Sequence, residues 1–385
     1  MTSLSELPIR DDLRGRSPYG APQHPVPVAL NVNENTHPVP EDVASDIVAR
    51  VAAAVGGVNR YPDREFTELR NAFARYLGHG LTPDEIWAAN GSNEVLQHIL
   101  QAFGGPGRSL LGFAPTYSMY PLLASGTGTA YLAGTRDADY ELSPATAAAQ
   151  ILELDPDIVI LCSPNNPTGT PLDLDTIEAA YAAARGIVVV DEAYAEFLPE
   201  GTPSALTLLP GRPRLLVSRT MSKAFAFAGA RVGYLAADPA VTDALRLVRL
   251  PYHLSALTQA AALGALAHSD EMLATVGEIR EQRDRLVAEL ARLGYTPHRS
   301  GSNFVLFGGV DDPHATFEAL AERGILIRDV GIPHHLRVTA GTETETTAFL
   351  EALAALGRPA QAVAGKSDDD AAPERSQSAP VDSDT

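Results

Sequence analysis

The hydrophobic pattern of the middle of the chain is one of short, nearly unbroken apolar runs rather than alternation. Residues 157–162 (Asp-Ile-Val-Ile-Leu-Cys), 186–190 (Gly-Ile-Val-Val-Val) and 215–217 (Leu-Leu-Val) are too short for helices, and the first two are rich in β-branched residues. They read as strands buried on both faces, with a helix over 173–184 between the first two. Buried strands separated by helices predict an α/β domain with a mostly parallel sheet and helices on both faces, and such sheets gather ligands at the carboxyl ends of their strands. Polar clusters follow those ends: Ser163-Pro164-Asn165-Asn166-Pro167-Thr168-Gly169, then Asp191-Glu192-Ala193-Tyr194, then Ser218 to Lys223.

Helical spacing marks 44–54, with Gly56-Gly57 as a left-handed stop, and 65–77 after the turn Asn59-Arg60-Tyr61-Pro62-Asp63. Asn90-Gly91-Ser92-Asn93-Glu94 opens an apolar helix running to Phe103, with Ser92 or Asn93 as its N-cap and its start as an anion site. Beyond residue 257 a long helical stretch runs to 293. Strands at 303–307, 325–327 and 336–339, a helix over 315–323 and a last helix to 356 make a smaller α+β unit. The expected division is an N-terminal arm at 1–38, extended rather than packed, a large domain at 39–257, a small C-terminal domain at 258–357 and a disordered acidic tail at 358–385. From Lys366 onward that tail carries six acids against two bases.

Composition narrows the function. A length of 385 residues suits a large domain plus a smaller one, and 45% hydrophobic residues suffice for a full interior. A net charge of −19 argues against nucleic acid or an anionic membrane as partner, though a few arginines in a cleft can still hold a small anion. The single cysteine, Cys162, leaves no intrachain disulfide and fits a reducing cytoplasm. The first residues show no cationic start with an apolar run, and no stretch approaches membrane-spanning length, so a soluble cytoplasmic protein is expected.

Of the 29 Lys and Arg residues only two are lysines, Lys223 and Lys366, and the second lies in the tail. Guanidinium stays protonated, whereas a desolvated lysine can lose its proton and act as a nucleophile. Lys223 lies in Ser218-Arg219-Thr220-Met221-Ser222-Lys223-Ala224-Phe225, with Arg231 eight residues later. Together with the Asp191 carboxylate, the Tyr194 phenol, the Asn166 amide and the Gly91-Ser92-Asn93 helix start, this amine supplies what pyridoxal phosphate requires. The cofactor needs an amine to bond its aldehyde, an acid at the pyridine nitrogen and a phosphate cup.

Asn166-Pro167-Thr168-Gly169, Asp191-Glu192-Ala193-Tyr194 and Thr220-Met221-Ser222-Lys223 with Arg231 resemble the signature of fold-type I pyridoxal-phosphate-dependent aminotransferases. Within them, Ser17-Pro18-Tyr19, Leu30-Asn31-Val32-Asn33-Glu34-Asn35, Asn59-Arg60-Tyr61-Pro62-Asp63, Ile327-Arg328-Asp329 and Leu336-Arg337-Val338-Thr339 make the chain similar to the histidinol-phosphate aminotransferase family. The resemblance implies amino-group transfer between L-histidinol phosphate and 2-oxoglutarate, giving imidazole acetol phosphate and L-glutamate in L-histidine biosynthesis, by a homodimer with shared active sites.

It implies that Lys223 bonds the cofactor and then carries the proton, and that Asp191 pairs with the pyridine nitrogen. Tyr194 and Asn166 hold the phenolic oxygen and Tyr117 stacks on the ring. Gly91, Ser92, Asn93, Thr220, Ser222 and Arg231 bind the phosphate, with Tyr61 arriving from the other subunit. Arg337, Arg328, Tyr19, Asn35 and Tyr252 form the substrate set. Two positions depart from many relatives: Asn93 stands where they carry an acid, and Thr36 where they carry proline.

Taken singly, Asp191-Glu192 reads as a solvated turn and Tyr194 as a core or surface aromatic, but their order and spacing before Lys223 favour chemistry; Tyr117 and Tyr252 have packing as their alternative, and Cys162 reads as inert core. His334-His335 has no further ligand nearby in sequence, so no metal is expected. The alternatives are an aromatic-amino-acid aminotransferase, a cofactor-binding regulator, and a decarboxylase of the same fold.

Overall fold

The computed structural model describes residues 6–15, 20 and 24–357. The acidic tail and Tyr19 lie outside the described residues.

Strand β1 (Val28–Ala29) belongs to the arm. The next seven strands form the central sheet: β2 (Ile86–Ala89), β3 (Ser109–Ala114), β4 (Ala130–Thr135), β5 (Ile158–Cys162), β6 (Ile187–Asp191), β7 (Leu215–Thr220) and β8 (Gly233–Ala236). Their spatial order is β2-β8-β7-β6-β5-β3-β4. All pairs are parallel except those of β8, which runs antiparallel to both β7 and β2. Two reversals leave β2 parallel to β7, so the carboxyl end of β2 reaches the same edge as those of β3, β5, β6 and β7. Every residue of β5 and β6 is buried, as their unbroken apolar runs require. Chain order reverses between β3 and β5, the kind of switch point at which such sheets open a crevice.

Strands β9 (Thr296–Pro297), β10 (Phe304–Gly308) and β12 (Leu336–Thr339) make a second, antiparallel sheet in the order β12-β10-β9. Strand β11 (Ile325–Leu326) pairs in parallel with β1 of the arm instead. By core membership we divide the described chain near 272–276. One apolar cluster takes residues from Val43 to Met272; the other takes Leu30, then Val276 to Leu353. Ala193, Tyr194, Phe197 and Ala224 project from the large unit into the second cluster, so the strand ends that carry the chemistry lie at the junction.

The sequence reading needs correction in several places. Part of the arm is packed: β1 pairs with β11, and Leu30, Asn31 and Asn33 are buried. The pattern at 44–54 is a helix over Glu41–Val55, and Gly56 continues in right-handed geometry rather than as a left-handed cap. The helix expected at 65–77 is Thr67–Leu77, because Asp63 accepts the Glu65 and Thr67 amides and holds the turn two residues longer. The stretch to 293 is three helices, Ala256–Ala267, Ser269–Leu273 and Val276–Arg292. The helix after β2 is Ser92–Phe103, and its N-cap is Gly91, not Ser92 or Asn93.

Candidate active site

A cleft of about 440 Å³ opens along the carboxyl edge of the large sheet. Register explains why its side chains converge: Asp191, the last residue of β6, is aligned with Cys162 on β5 and Ser218 on β7. The chain then turns from β7 into Ser222 and Lys223, and from β5 into Asn166.

On the far side of β7, Gly233 lies between Ala89 and Thr220 in register. A Cβ on Gly233 would fall 2.2 Å from the Ser92 nitrogen. Gly91 has φ +84°, and a Cβ there would lie 2.4 Å from Arg231 Nη2. Two glycines thus let the start of the Ser92–Phe103 helix and the Arg231 guanidinium meet at one point. The Ser92 and Asn93 amides have no carbonyl ahead of them in the helix, while Glu94 already donates to the Gly91 carbonyl, which makes the point an anion cradle. Arg231 Nη1 donates to Ser222 Oγ at 3.3 Å, and the Ser222 amide donates to Thr220 Oγ1 at 3.1 Å.

Asp191 is buried, and Tyr120 Oη donates to its Oδ2 at 2.8 Å. Its Oδ1 has no hydrogen-bond partner among the described residues. Burial raises this carboxyl to about 6, while the Tyr120 hydroxyl and the Ala193 amide oppose the rise. It is therefore mostly ionised at neutral pH. Lys223 Nζ donates to the Val32 carbonyl at 3.0 Å. Burial lowers its amine to about 8, with the Arg337 charge acting in the same direction and Glu34 against it.

The Tyr194 phenol accepts from Asn33 Nδ2 at 3.0 Å and from Asn166 Nδ2 at 3.4 Å, and burial pushes its titration upward. Arg337, on β12, donates to Asn166 Oδ1 at 2.5 Å and to the Asn31 carbonyl at 2.9 Å, with its guanidinium over the Phe304 ring. Tyr117 Oη donates to Asn93 Oδ1 at 3.3 Å. Arg328, on the bridge opposite Arg337, also lines the cleft.

Of the residues singled out from sequence, the cleft brings together Ser92, Asn93, Tyr117, Asn166, Asp191, Tyr194, Thr220, Ser222, Lys223, Arg231, Arg328 and Arg337. Gly91 shapes it from below. Three others do not line it. Asn35 donates to the Ala224 carbonyl and to Thr275 Oγ1. Tyr61 is 80% exposed and stacks on Tyr252 with ring centroids 4.4 Å apart. Sequence reasoning missed Tyr120, Asn31, Val32 and Asn33. The arm motif pointed to its segment but not to which residues face inward; Tyr120, three residues after Tyr117 at a helix start, carried the signal of shared direction.

The geometry fits pyridoxal phosphate on two counts: the buried carboxylate has one oxygen open for a ring N–H, and the glycine-built cradle suits a phosphate. An α/β sheet with this cleft at its carboxyl edge, a buried amine, that carboxylate and a smaller α+β unit closing one side is a fold-type I pyridoxal-phosphate-dependent transferase. The profile of the family described as aminotransferase class I and II matches residues 25–353. The chain belongs to that family.

It is 68% identical to the histidinol-phosphate aminotransferase of Paenarthrobacter aurescens over 92% of this chain and 96% of that one. Among solved structures it is similar to histidinol-phosphate aminotransferase from Sinorhizobium meliloti in complex with pyridoxal-5'-phosphate. There the TM-score is 0.76 and the identity 24%, over 86% of this chain and 92% of that one. It is also similar to aspartate aminotransferase from Thermus thermophilus with maleate, with TM-score 0.73 and 25% identity over 86% and 91%. Backbone likeness therefore extends to an aspartate aminotransferase, while the 68% identity is to a histidinol-phosphate aminotransferase.

Proposed function

We propose that the chain is a pyridoxal-phosphate-dependent histidinol-phosphate aminotransferase, moving the amino group of L-histidinol phosphate to 2-oxoglutarate and giving imidazole acetol phosphate and L-glutamate. The observation that carries this reading is one cleft holding a buried amine, a carboxylate with an open oxygen, and cations on separate elements: Arg231 after β7, Arg328 and Arg337 in the small unit. One anion site suits a cofactor phosphate; the other suits the carboxylate of glutamate and, alternately, the phosphate of histidinol phosphate.

When bound, pyridoxal phosphate supplies an aldehyde for the amino group and a ring that delocalises the electrons left when a substrate proton departs. Lys223 would hold the cofactor's aldehyde and would be the group that accepts and returns the substrate proton. An amine titrating near 8 serves both tasks, since it can lose and regain a proton close to neutral pH. Asp191, with its Oδ1 open, would keep the ring nitrogen protonated. Tyr194 and Asn166 would hold the phenolic oxygen, and Asn166 is itself held by Arg337, which would tie the substrate's anion site to the cofactor's oxygen. Gly91, Ser92, Asn93, Thr220, Ser222 and Arg231 would hold the phosphate, and Tyr117 would cover the ring.

The working form is a cytoplasmic homodimer with shared sites. Support comes from exposed apolar side chains: Val48 and Val55 on the helix Glu41–Val55, Val58 after it, Leu247 at the end of the helix Pro239–Val248 and Leu250 after it, with exposed Tyr61 stacked on Tyr252. A second copy would cover these side chains and receive Tyr61. Among the described residues no helix is long and apolar enough to cross a membrane. The test is amino transfer by the full chain with pyridoxal phosphate, histidinol phosphate and 2-oxoglutarate, followed as glutamate formed; no glutamate above a Lys223→Ala control refutes the reading.

A further inference from the structure

We propose that Tyr120 is a positioning residue for the reaction: its hydroxyl holds Asp191 ionised and oriented so that Oδ1 is the oxygen presented to the cofactor's ring nitrogen. This rests on the pyridoxal-phosphate reading above and adds a residue to it. The segment from the end of β3 into the helix Met119–Thr127 carries two tyrosines three residues apart. Tyr117 lines the cleft; Tyr120 is fully buried behind the strand ends, with its ring edge-on to that of Tyr117 at 5.5 Å. The Tyr120 hydroxyl donates to Asp191 Oδ2 at 2.8 Å, and Oδ1 on the cleft-lining carboxylate has no partner among the described residues.

The nature of the partner matters as much as its position. A buried carboxylate is usually stabilised by a cation, but a cation on Oδ2 would cancel the charge that the ring nitrogen needs. The charged group facing this pocket from the neighbouring strand region, Arg136, instead donates to the carbonyls of Phe113 and Tyr140. The other titratable neighbours, Cys162 on β5 and Glu192 next in sequence, are acids. A phenol hydroxyl donates one hydrogen bond without neutralising anything. Burial and the Asp191 charge both push the Tyr120 phenol well above its ordinary range, so it stays a donor at every working pH. Hydrogen bonds to buried charges are the strong ones, and losing this one corresponds to roughly a tenfold effect or more on ionisation of Asp191.

Tyr120→Phe deletes the hydroxyl and keeps the ring contact with Tyr117. The measurement is the affinity of the full chain, stripped of cofactor, for pyridoxal phosphate from pH 5.5 to 8.5. Tyr120→Phe is expected to move the acid-side loss of binding upward by about one pH unit, weakening affinity roughly threefold at pH 6.5 and roughly eightfold at pH 5.5, and converging on wild type by pH 8.5. In an Asp191→Asn background the same substitution should change affinity by less than twofold at every pH. An unshifted acid limb, or an equal loss at all pH values, overturns the proposal in favour of a packing role; so does a full effect persisting in Asp191→Asn. Wild-type chain that binds no pyridoxal phosphate overturns the cofactor reading itself, and this inference with it.

Discussion

Replacing Arg337 tests the electrostatic coupling at the centre of the cleft. Its guanidinium is buried against Asn166, the Asn31 carbonyl and the Phe304 ring, and after burial its charge is the largest cause holding the Lys223 amine near 8 rather than 10.5. At pH 7 an amine of pKa about 8 is neutral in about a tenth of molecules; at 10.5 the fraction is about 0.03%. Arg337→Gln removes the like charge and leaves the burial, so the amine should titrate roughly one unit higher and lose about tenfold of its reactive form at pH 7. The sign is fixed: a lysine freed of a cation holds its proton more tightly. Glu34→Gln should move it the other way, since Glu34 raises the same amine.

The assay is the initial rate of borohydride-trappable attachment of pyridoxal phosphate to the stripped chain from pH 6 to 10. The midpoint of the rise should sit near 8 in wild type, higher in Arg337→Gln and lower in Glu34→Gln. An unchanged or lowered midpoint in Arg337→Gln refutes the coupling. In the reconstituted enzyme the same variant should lose about 30- to 1,000-fold in kcat/KM with both glutamate and histidinol phosphate, the usual cost of truncating a buried charge. Loss with only one of them would show that a single cation does not serve both anions.

Lys223→Ala should abolish borohydride-fixed labelling; persistent labelling elsewhere on the chain would refute the assignment. Gly91→Ala places a Cβ against Arg231 in backbone geometry that only glycine adopts readily, at a cost of about 1–3 kcal/mol. It should lower the thermal midpoint and weaken pyridoxal phosphate binding at least roughly tenfold, whereas unchanged affinity would remove the cradle from the account. Leu247→Asp with Leu250→Asp should convert a dimer to monomers by light scattering and depress activity with the loss of Tyr61; a monomeric wild type or a dimeric variant would contradict the proposed interface.

The large sheet was legible because strands buried on both faces leave a continuous apolar signature, and the chemistry was legible because it follows those strands directly in sequence. Asp191, Lys223 and Asn166 each sit within four residues of a strand end. What the sequence hid depends on contacts between distant segments. The arm motif Leu30-Asn31-Val32-Asn33-Glu34-Asn35 announced an inward-facing segment, but its backbone leaves the extended region at Asn33 (φ +57°), so the alternation of faces along a strand does not carry through it. Only the fold shows that Asn33 meets Tyr194 while Asn35 turns to Ala224 and Thr275. The Val32 carbonyl that receives Lys223 is a backbone group, which leaves no mark on residue type. Gly56 misled for the converse reason: glycine permits left-handed geometry without requiring it. The arm's pairing with β11 joins residues nearly three hundred positions apart, and no local pattern records it.

The most direct test of the central claim is a single-turnover comparison of the pyridoxal phosphate form with L-histidinol phosphate and, separately, with L-phenylalanine. The account predicts that histidinol phosphate reacts with a second-order rate constant roughly 100-fold greater or more, because it offers a phosphate to the two cations Arg328 and Arg337 where phenylalanine offers a single carboxylate. An equal or faster reaction with phenylalanine would contradict it and make the chain an aromatic-amino-acid transaminase.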